Sequence, residues 1–283
     1  MCRIAGIYNP ASKSLGLTIE HMRDAMRHGG PDDAGTWKHN TLPLALGHRR
    51  LSIVDLSQAG HQPMIDEELV IAFNGEIYNF QEIRSTLEHY GHVFRTRTDT
   101  EVILKAYRHW GCDAFEYFNG MFALAIWDER EQMLTLARDH AGIKPLYYYL
   151  DAGCLYFASE VRAFNCADRS FEENPEWRTA FLTFGHLPEP VTTLRNVVPL
   201  EKGTYLQVEL PSLRVKRASF FKWKLGGEIR NEEEAIPLFR QTFREAVQRH
   251  MFADAPIGLF LSGGIDSSLL TLIAAEGAAE QLH

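Results

Sequence analysis

Met121-Phe122-Ala123-Leu124-Ala125-Ile126-Trp127-Asp128 is an apolar run closed by a polar turn, and it reads as a β-strand. Met133 to Arg138, Leu146 to Leu150 and Cys154 to Ala158 repeat that texture. Their short polar connections favour antiparallel pairing. Upstream, Leu69 to Phe73 is another unbroken apolar run, bounded by Asn74-Gly75. That dipeptide predicts a tight turn, with Glu76, Ile77 and Tyr78 continuing beyond it. Between the strand groups the period changes. Phe80, Ile83, Leu87 and Tyr90 share one helical face, and a helix starting near Thr98-Asp99 turns Val102, Ile103, Ala106, Tyr107 and Trp110 inward. Toward the N-terminus, Ile4 to Tyr8 reads as a short buried strand. Thr18 is the expected cap of a helix carrying Ile19, Met22, Ala25 and Met26. That helix stops at His28-Gly29-Gly30-Pro31-Asp32-Asp33. Ala45 to Asp55 suggests a strand around the pair Arg49-Arg50. Strands, then helices, then strands describe layered α+β packing rather than βαβ alternation.

Length and composition bound the function. The 283 residues suffice for one large domain or two ordinary ones, with a sizeable core. A net charge of −8 argues against nucleic-acid binding, which needs a basic face. No apolar run is long enough for a membrane span and no signal-peptide pattern opens the chain. The cysteines at 2, 112, 154 and 166 are irregularly spaced and include no C-x-x-C pair, which fits free thiols in a cytoplasmic setting. His109 and Cys112 are spaced like metal ligands but have no second pair, so no metal site is expected there.

Toward the C-terminus, Leu187 to Gly203 looks like a connecting region, and Asn231-Glu232-Glu233-Glu234 opens a long helix with acids in its first turn. Ile257 to Leu261 reads as a buried strand feeding Ser262-Gly263-Gly264-Ile265-Asp266-Ser267-Ser268, and Leu269 to Ala275 is helical. A strand, a Gly-Gly turn and a helix start aim several N–H groups at one spot, which makes a nest for phosphate oxygens. No Gly-Lys-Ser/Thr follows, so it is not a Walker A loop. Asp266 beside phosphate implies Mg²⁺ between them.

At the other end, Cys2 follows the start methionine. Methionine removal would give one residue both a thiol and an α-amine titrating near 7.7–8.0, a compact activated nucleophile. By position alone the reading of Cys2 as a small apolar residue opening a strand is the stronger one.

These two ends together resemble one family. Leu261 to Ser268 is similar to the pyrophosphatase loop of ATP-dependent amide synthetases, and in glutamine-hydrolysing asparagine synthetases that loop follows a glutaminase domain beginning Met-Cys. Further matching segments are Arg50 to Asp55, Phe73 to Asn79, Thr98 to Val102, Gly120 to Ala123, Arg138 to Tyr148 and Ala158 to Glu160. The resemblance implies a four-layer αββα N-terminal-nucleophile hydrolase fold over residues 2–210. A linker at 211–230 and an incomplete α/β ATP-pyrophosphatase domain at 231–283 would follow. It implies that Cys2 attacks the glutamine carboxamide, while Asn74 and Gly75 form the oxyanion hole. Arg50 would hold the α-carboxylate, Glu76 and Asp99 the α-ammonium, and Leu51, Ile53 and Val54 would contribute backbone groups. Leu261, Ser262, Gly263, Gly264, Asp266, Ser267 and Ser268 would bind ATP with Mg²⁺; the glutaminase half needs no cofactor. The implied partners are glutamine, ATP and a carboxylate acceptor, usually aspartate, with a homodimer among the expected assemblies.

Two departures stand out. Many family members carry arginine at the position of Gly29, so a charge is lost near the glutamine loop. The chain also ends at His283, about one helix after the phosphate loop, too soon for a nucleotide-binding domain that needs several βα units. Glutaminase competence without a complete synthetase is therefore expected, with the remainder missing or supplied by a partner chain. Two alternatives stay open: the same glutaminase amidating another carboxylate, such as a sugar acid, and a non-catalytic assembly module. Glucosamine-6-phosphate synthase and phosphoribosylpyrophosphate amidotransferase share the N-terminal domain, but the Ser262–Ser268 loop speaks against both.

Overall fold

The structure is a computed structural model and describes residues 1–223, 226, 227, 229 and 231–277. In chain order the strands are β1 (Arg3–Tyr8), β2 (Asp33–Lys38), β3 (Leu44–Arg50), β4 (Met64–Asp66), β5 (Leu69–Ile77), β6 (Gly120–Asp128), β7 (Met133–Arg138), β8 (Tyr147–Asp151), β9 (Cys154–Ala158), β10 (Val198–Pro199), β11 (Thr204–Glu209) and β12 (Arg214–Ser219). The α-helices are α1 (Leu15–Asp24), α2 (Phe80–His89), α3 (Asp99–Trp110), α4 (Trp177–Phe184), α5 (Glu232–His250) and α6 (Ile265–Gly277). The chain divides into two units. Met1–Ser52 and Ser57–Phe221 form the first; Ile53–Leu56 and the described residues from Lys222 onward form the second.

In the first unit, period-2 alternation assigns each strand to two cores at once. Strand order is β10-β8-β9-β1-β3-β2 in one sheet and β12-β11-β7-β6-β5-β4 in the other, and every pairing is antiparallel. On β1, Ile4 and Tyr8 join a core shared with Val70, Ala72, Ala123, Ala125 and Trp127 of the other sheet. Ala5 and Ile7 turn the other way, onto Ile19 and Met22 of α1. On β5 and β6, Ile71, Phe73, Phe122, Leu124 and Ile126 pack against α2 and α3 through Ile83, Leu87, Val102 and Ile103. Three cores between four layers make an αββα sandwich, as expected from the resemblance.

Several local expectations change. Asn74-Gly75 is not a turn: β5 runs through it, with Asn74 opposite Ala123 and Gly75 opposite Phe122. A nine-residue ladder outweighs a dipeptide's turn preference. Gly75 is needed for closeness, since a Cβ there would lie 2.1 Å from the Met121 carbonyl oxygen. Helix α1 starts at Leu15 rather than at Thr18, whose hydroxyl instead donates to the Ser14 carbonyl at 3.2 Å. Strand β2 was not expected, because Asp33-Ala34-Gly35-Thr36-Trp37-Lys38 is polar and lies at a sheet edge. Residues 214–219 of the expected linker 211–230 form β12, paired along its whole length with β11, so the first unit extends to Phe221. Charged side chains suit that edge position. Of the same linker, residues 224, 225, 228 and 230 lie outside the described residues, as do 278–283 of the expected C-terminal fragment.

In the second unit, Asn231 caps α5 by accepting from the Glu234 N–H at 2.9 Å. Val247 of α5 packs on Ile273 and Ala274 of α6. The expected strand at 257–261 is unpaired, with Phe260 fully exposed. A strand needs a ladder partner, and none lies among this unit's described residues. No helix among the described residues is long and apolar enough to cross a membrane.

Candidate active site

The alternation that built the central core also aims the site. Ile4, Leu44, Leu46, Val70 and Ala72 face the space between the sheets. Cys2, His48, Arg50, Asn74 and Glu76 continue the same rows past the end of that core. Arg3 pairs with Arg49, so one step further sets Cys2 beside Arg50. The Cys2 thiol donates to the Leu51 carbonyl at 3.5 Å, and its sulfur accepts from the Leu51 N–H at 3.4 Å. Burial pushes the thiol pKa up; the Leu51 hydrogen bond and the Arg50 charge oppose this, and the Asp99 charge adds to it.

Asn74 is fully buried, and neither polar atom of its side chain has a hydrogen-bond partner among the described residues. An orphaned buried amide is costly, and ligand binding accounts for such a group in a native fold. Gly75 beside it offers its N–H on an open edge. The backbone of Phe122, opposite Gly75, bonds to Asp139 instead: Asp139 N–H donates to the Phe122 carbonyl at 2.8 Å, and Phe122 N–H donates to the side-chain Oδ2 of Asp139 at 3.1 Å. Alternate N–H groups of β5 therefore point away from β6. Phe73 N–H donates to Gln62 Oε1 at 2.7 Å and Ile77 N–H to Asp99 Oδ2 at 3.1 Å, with Gly75 between them in the same row. His48 ties β3 to this row by donating to the Phe73 carbonyl at 3.0 Å. Burial drives its pKa down to about 3, so it remains neutral.

Asp99 opens α3 and is buried. Burial, reinforced by the Glu76 charge, raises its pKa to about 7. Two acids on one buried space are relieved by a bound cation. Arg50 reaches across Gly60, where a Cβ would fall 1.9 Å from Nη2, and donates to the Ser57 carbonyl at 2.7 Å. Leu51 thus touches Cys2, whereas Ile53 and Val54 group with the second unit, where the Ile53 carbonyl accepts from Asp254 N–H at 2.9 Å.

The structure adds residues that sequence reasoning passed over. Arg3 donates to the Cys2 carbonyl at 3.0 Å and pairs with Glu160 at 2.5 Å. It occupies the space above Gly29, where a Cβ would lie 2.6 Å from its Cζ. A guanidinium from position 3 therefore fills the space that a side chain at position 29 would need. Lys144, inside the Gly142-Ile143-Lys144-Pro145 turn, is also buried here. A lysine flanked by apolar and turn residues was the available signal.

In the second unit, Leu261, Ser262, Gly263, Gly264 and Asp266 are exposed, and Ser267 and Ser268 half-buried. Gly263 has φ +81°, a left-handed conformation, and the Ser262 and Ser267 hydroxyls lie 3.0 Å apart. Ser268 N–H already donates to the Gly264 carbonyl at 3.0 Å.

Two antiparallel sheets between helical layers, with a cysteine leading into a central strand, define the N-terminal-nucleophile hydrolase fold. A sequence model described as the glutamine amidotransferase domain matches residues 1–218, and one described as asparagine synthase matches residues 238–283. The chain belongs to the glutamine amidotransferase domain family. It is 36% identical to asparagine synthetase [glutamine-hydrolyzing] 1 of Bacillus subtilis, over 98% of this chain and 44% of that protein. It is 33% identical to a putative asparagine synthetase of Methanocaldococcus jannaschii, over 98% of this chain and 57% of that protein. The chain thus spans about half the length of the curated relatives it matches. Its fold is similar to that of the glutamine phosphoribosylpyrophosphate amidotransferase from B. subtilis, with a TM-score of 0.58 at 16% identity, over 97% of this chain and 64% of that one.

Proposed function

We propose that the chain is the glutamine-hydrolysing part of an asparagine-synthetase-type amidotransferase acting in the cytoplasm. The observation that carries this reading is the fully buried Asn74 amide without a partner among the described residues, beside the edge-facing Gly75 N–H and in the residue rows that lead to Cys2. With Met1 removed, the Cys2 α-amine takes the thiol proton and the sulfur attacks the carboxamide carbon of glutamine. The carbonyl electron pair moves onto oxygen, where Asn74 and Gly75 donate to it. That geometry stabilises charge only where it develops. Collapse expels ammonia, which leaves with the proton from the α-ammonium, and water then cleaves the thioester to glutamate. Arg50 holds the glutamine α-carboxylate, a planar group suited to a guanidinium. Glu76 and Asp99 hold its α-ammonium, Leu51 orients the thiol, and Ile53 and Val54 lie on the segment that follows.

For ATP, the residues present fit a phosphate group: a left-handed glycine, two adjacent hydroxyls and the N-terminal turn of α6. Leu261 to Ser268 would hold the phosphates, with Mg²⁺ at Asp266, and bound ATP would activate a carboxylate for amidation by ammonia. Aspartate is the acceptor favoured by the relatives' names; a sugar acid is the second candidate. A homodimer is the proposed assembly.

Glutamate release from glutamine by the purified chain, compared with Cys2→Ala, tests the reading. Equal rates in both would sink it, and so would intact-mass measurement showing Met1 on every active molecule.

A further inference from the structure

Lys144 is among the largest fully buried side chains, at 1% exposure, yet its ammonium has no carboxylate within 4.0 Å among the described residues. Its only side-chain partner there is the Met1 sulfur. A thioether is a weak acceptor for a group with three strong donors. A buried ammonium is costly unless paired or used.

The backbone that aims it is fixed at both ends. Asp139 accepts from the N–H groups of Ala141 at 3.0 Å, Ile143 at 2.9 Å and Lys144 at 2.9 Å. Arg138 donates to the Lys144 carbonyl at 3.0 Å, the Gly142 carbonyl at 2.9 Å and the Leu200 carbonyl at 2.8 Å. Arg138 and Asp139 thus brace a turn whose one inward side chain ends against the residue preceding the nucleophile. Loss of Met1 removes that partner and frees the Cys2 α-amine in a space where the Lys144 charge already acts on the N-terminus and the Cys2 charge on Lys144.

We infer that Lys144 is a positioning residue of the glutaminase, whose ammonium keeps the freed Cys2 α-amine in its neutral, proton-accepting form and steadies negative charge on the sulfur. A cation close to an amine disfavours a second positive charge, and close to a thiol it favours the thiolate. The inference rests on the glutaminase reading. The other charged groups are Arg50 on β3 and Asp99 on α3, which act on Cys2, Arg3 on β1 and Asp32 before β2, which act on the N-terminus, and Glu76 on β5 and Asp139 in the braced turn, which act on Lys144 together with Arg3. Burial lowers the pKa of Lys144, while the charges of Glu76, Cys2 and Asp139 oppose that lowering.

The test follows alkylation of Cys2 by iodoacetamide against pH in the Met1-free chain, quantified on its N-terminal peptide, in wild type, Lys144→Met, Lys144→Gln and Lys144→Arg. Thermal melts establish first that each variant is folded. The two neutral variants should move the midpoint up by about one pH unit and shift the acid limb of glutaminase kcat/KM the same way, while Lys144→Arg stays near wild type. Midpoints unchanged in both neutral variants overturn the inference. Alkylation needs no glutamine turnover, so failure of the glutaminase reading, seen as equal activity in Cys2→Ala, is separable from failure of this one.

Discussion

The Asp99 carboxylate accepts the backbone N–H of Ile77 at 3.1 Å, pinning the start of α3 to the row of β5 that also presents Gly75. One hydrogen bond so joins the proposed ammonium site to the proposed oxyanion site. It does not offset burial, which leaves the Asp99 pKa at about 7.

Asp99→Asn should stabilise the ligand-free chain at high pH. The folded pKa lies above the unfolded value of about 3.9, so the acid's contribution is most favourable below pH 4 and is lost as pH rises through 7. Melting should show a gain of roughly 5 °C at pH 8 and none near pH 4. Glutamine KM in the wild type should fall as pH rises through 7, and in the variant it should be roughly 10–100-fold higher and flat with pH.

Asn74→Ala should separate chemistry from stability. The amide has no partner to lose among the described residues, so melting should change little. Steady-state kinetics should show kcat reduced about 10²–10³-fold with KM nearly unchanged. A parallel rise in KM would assign Asn74 to ground-state binding instead.

Gly75→Ala should damage the fold itself, because the new Cβ meets backbone atoms of Met121 and Phe122 at 2.1 and 2.8 Å. A destabilisation of about 1–3 kcal/mol, read from urea unfolding, is the expected result.

Gly29→Arg should displace Arg3 from the Cys2 carbonyl and from Glu160. The loss in kcat/KM should be roughly tenfold in the wild-type background and clearly smaller in Arg3→Ala, because the two positions share one space. Additive losses in the double-mutant cycle would show that the sites are independent.

ATP with Mg²⁺ should bind this chain weakly, with Kd in the millimolar range by calorimetry, because Leu261 to Asp266 are exposed. Ser262→Ala should leave that weak binding within about twofold.

Much of the sandwich was legible because strand and helix periods survive in the apolar residues. The Met121 to Asp128 strand and the faces of α2 and α3 followed directly. Strands β2, β4, β10 and β12 did not, being short or polar edges whose pairing is set by a neighbour rather than by their own composition, and neither did the interior strand β11, whose Thr204-Tyr205-Leu206-Gln207-Val208-Glu209 alternation follows the connecting region. Asn74-Gly75 misled for a related reason: local turn preference is small against a ladder on β6. At the site, the motif residues could be named from sequence, but not Arg3 over Gly29 or the buried Lys144 ammonium. Both depend on which side chains fill a space left by others.

The sequence alone determined the α+β layering and the family, because apolar periodicity and several ordered motifs are properties of the chain itself. Tertiary structure decided what those motifs face. The antiparallel register sets Cys2 beside Arg50. The Phe122–Asp139 bonds leave the Gly75 N–H at an open edge, and burial raises the Asp99 pKa. None of these is encoded in a local pattern, since each depends on pairing or desolvation between segments distant in sequence.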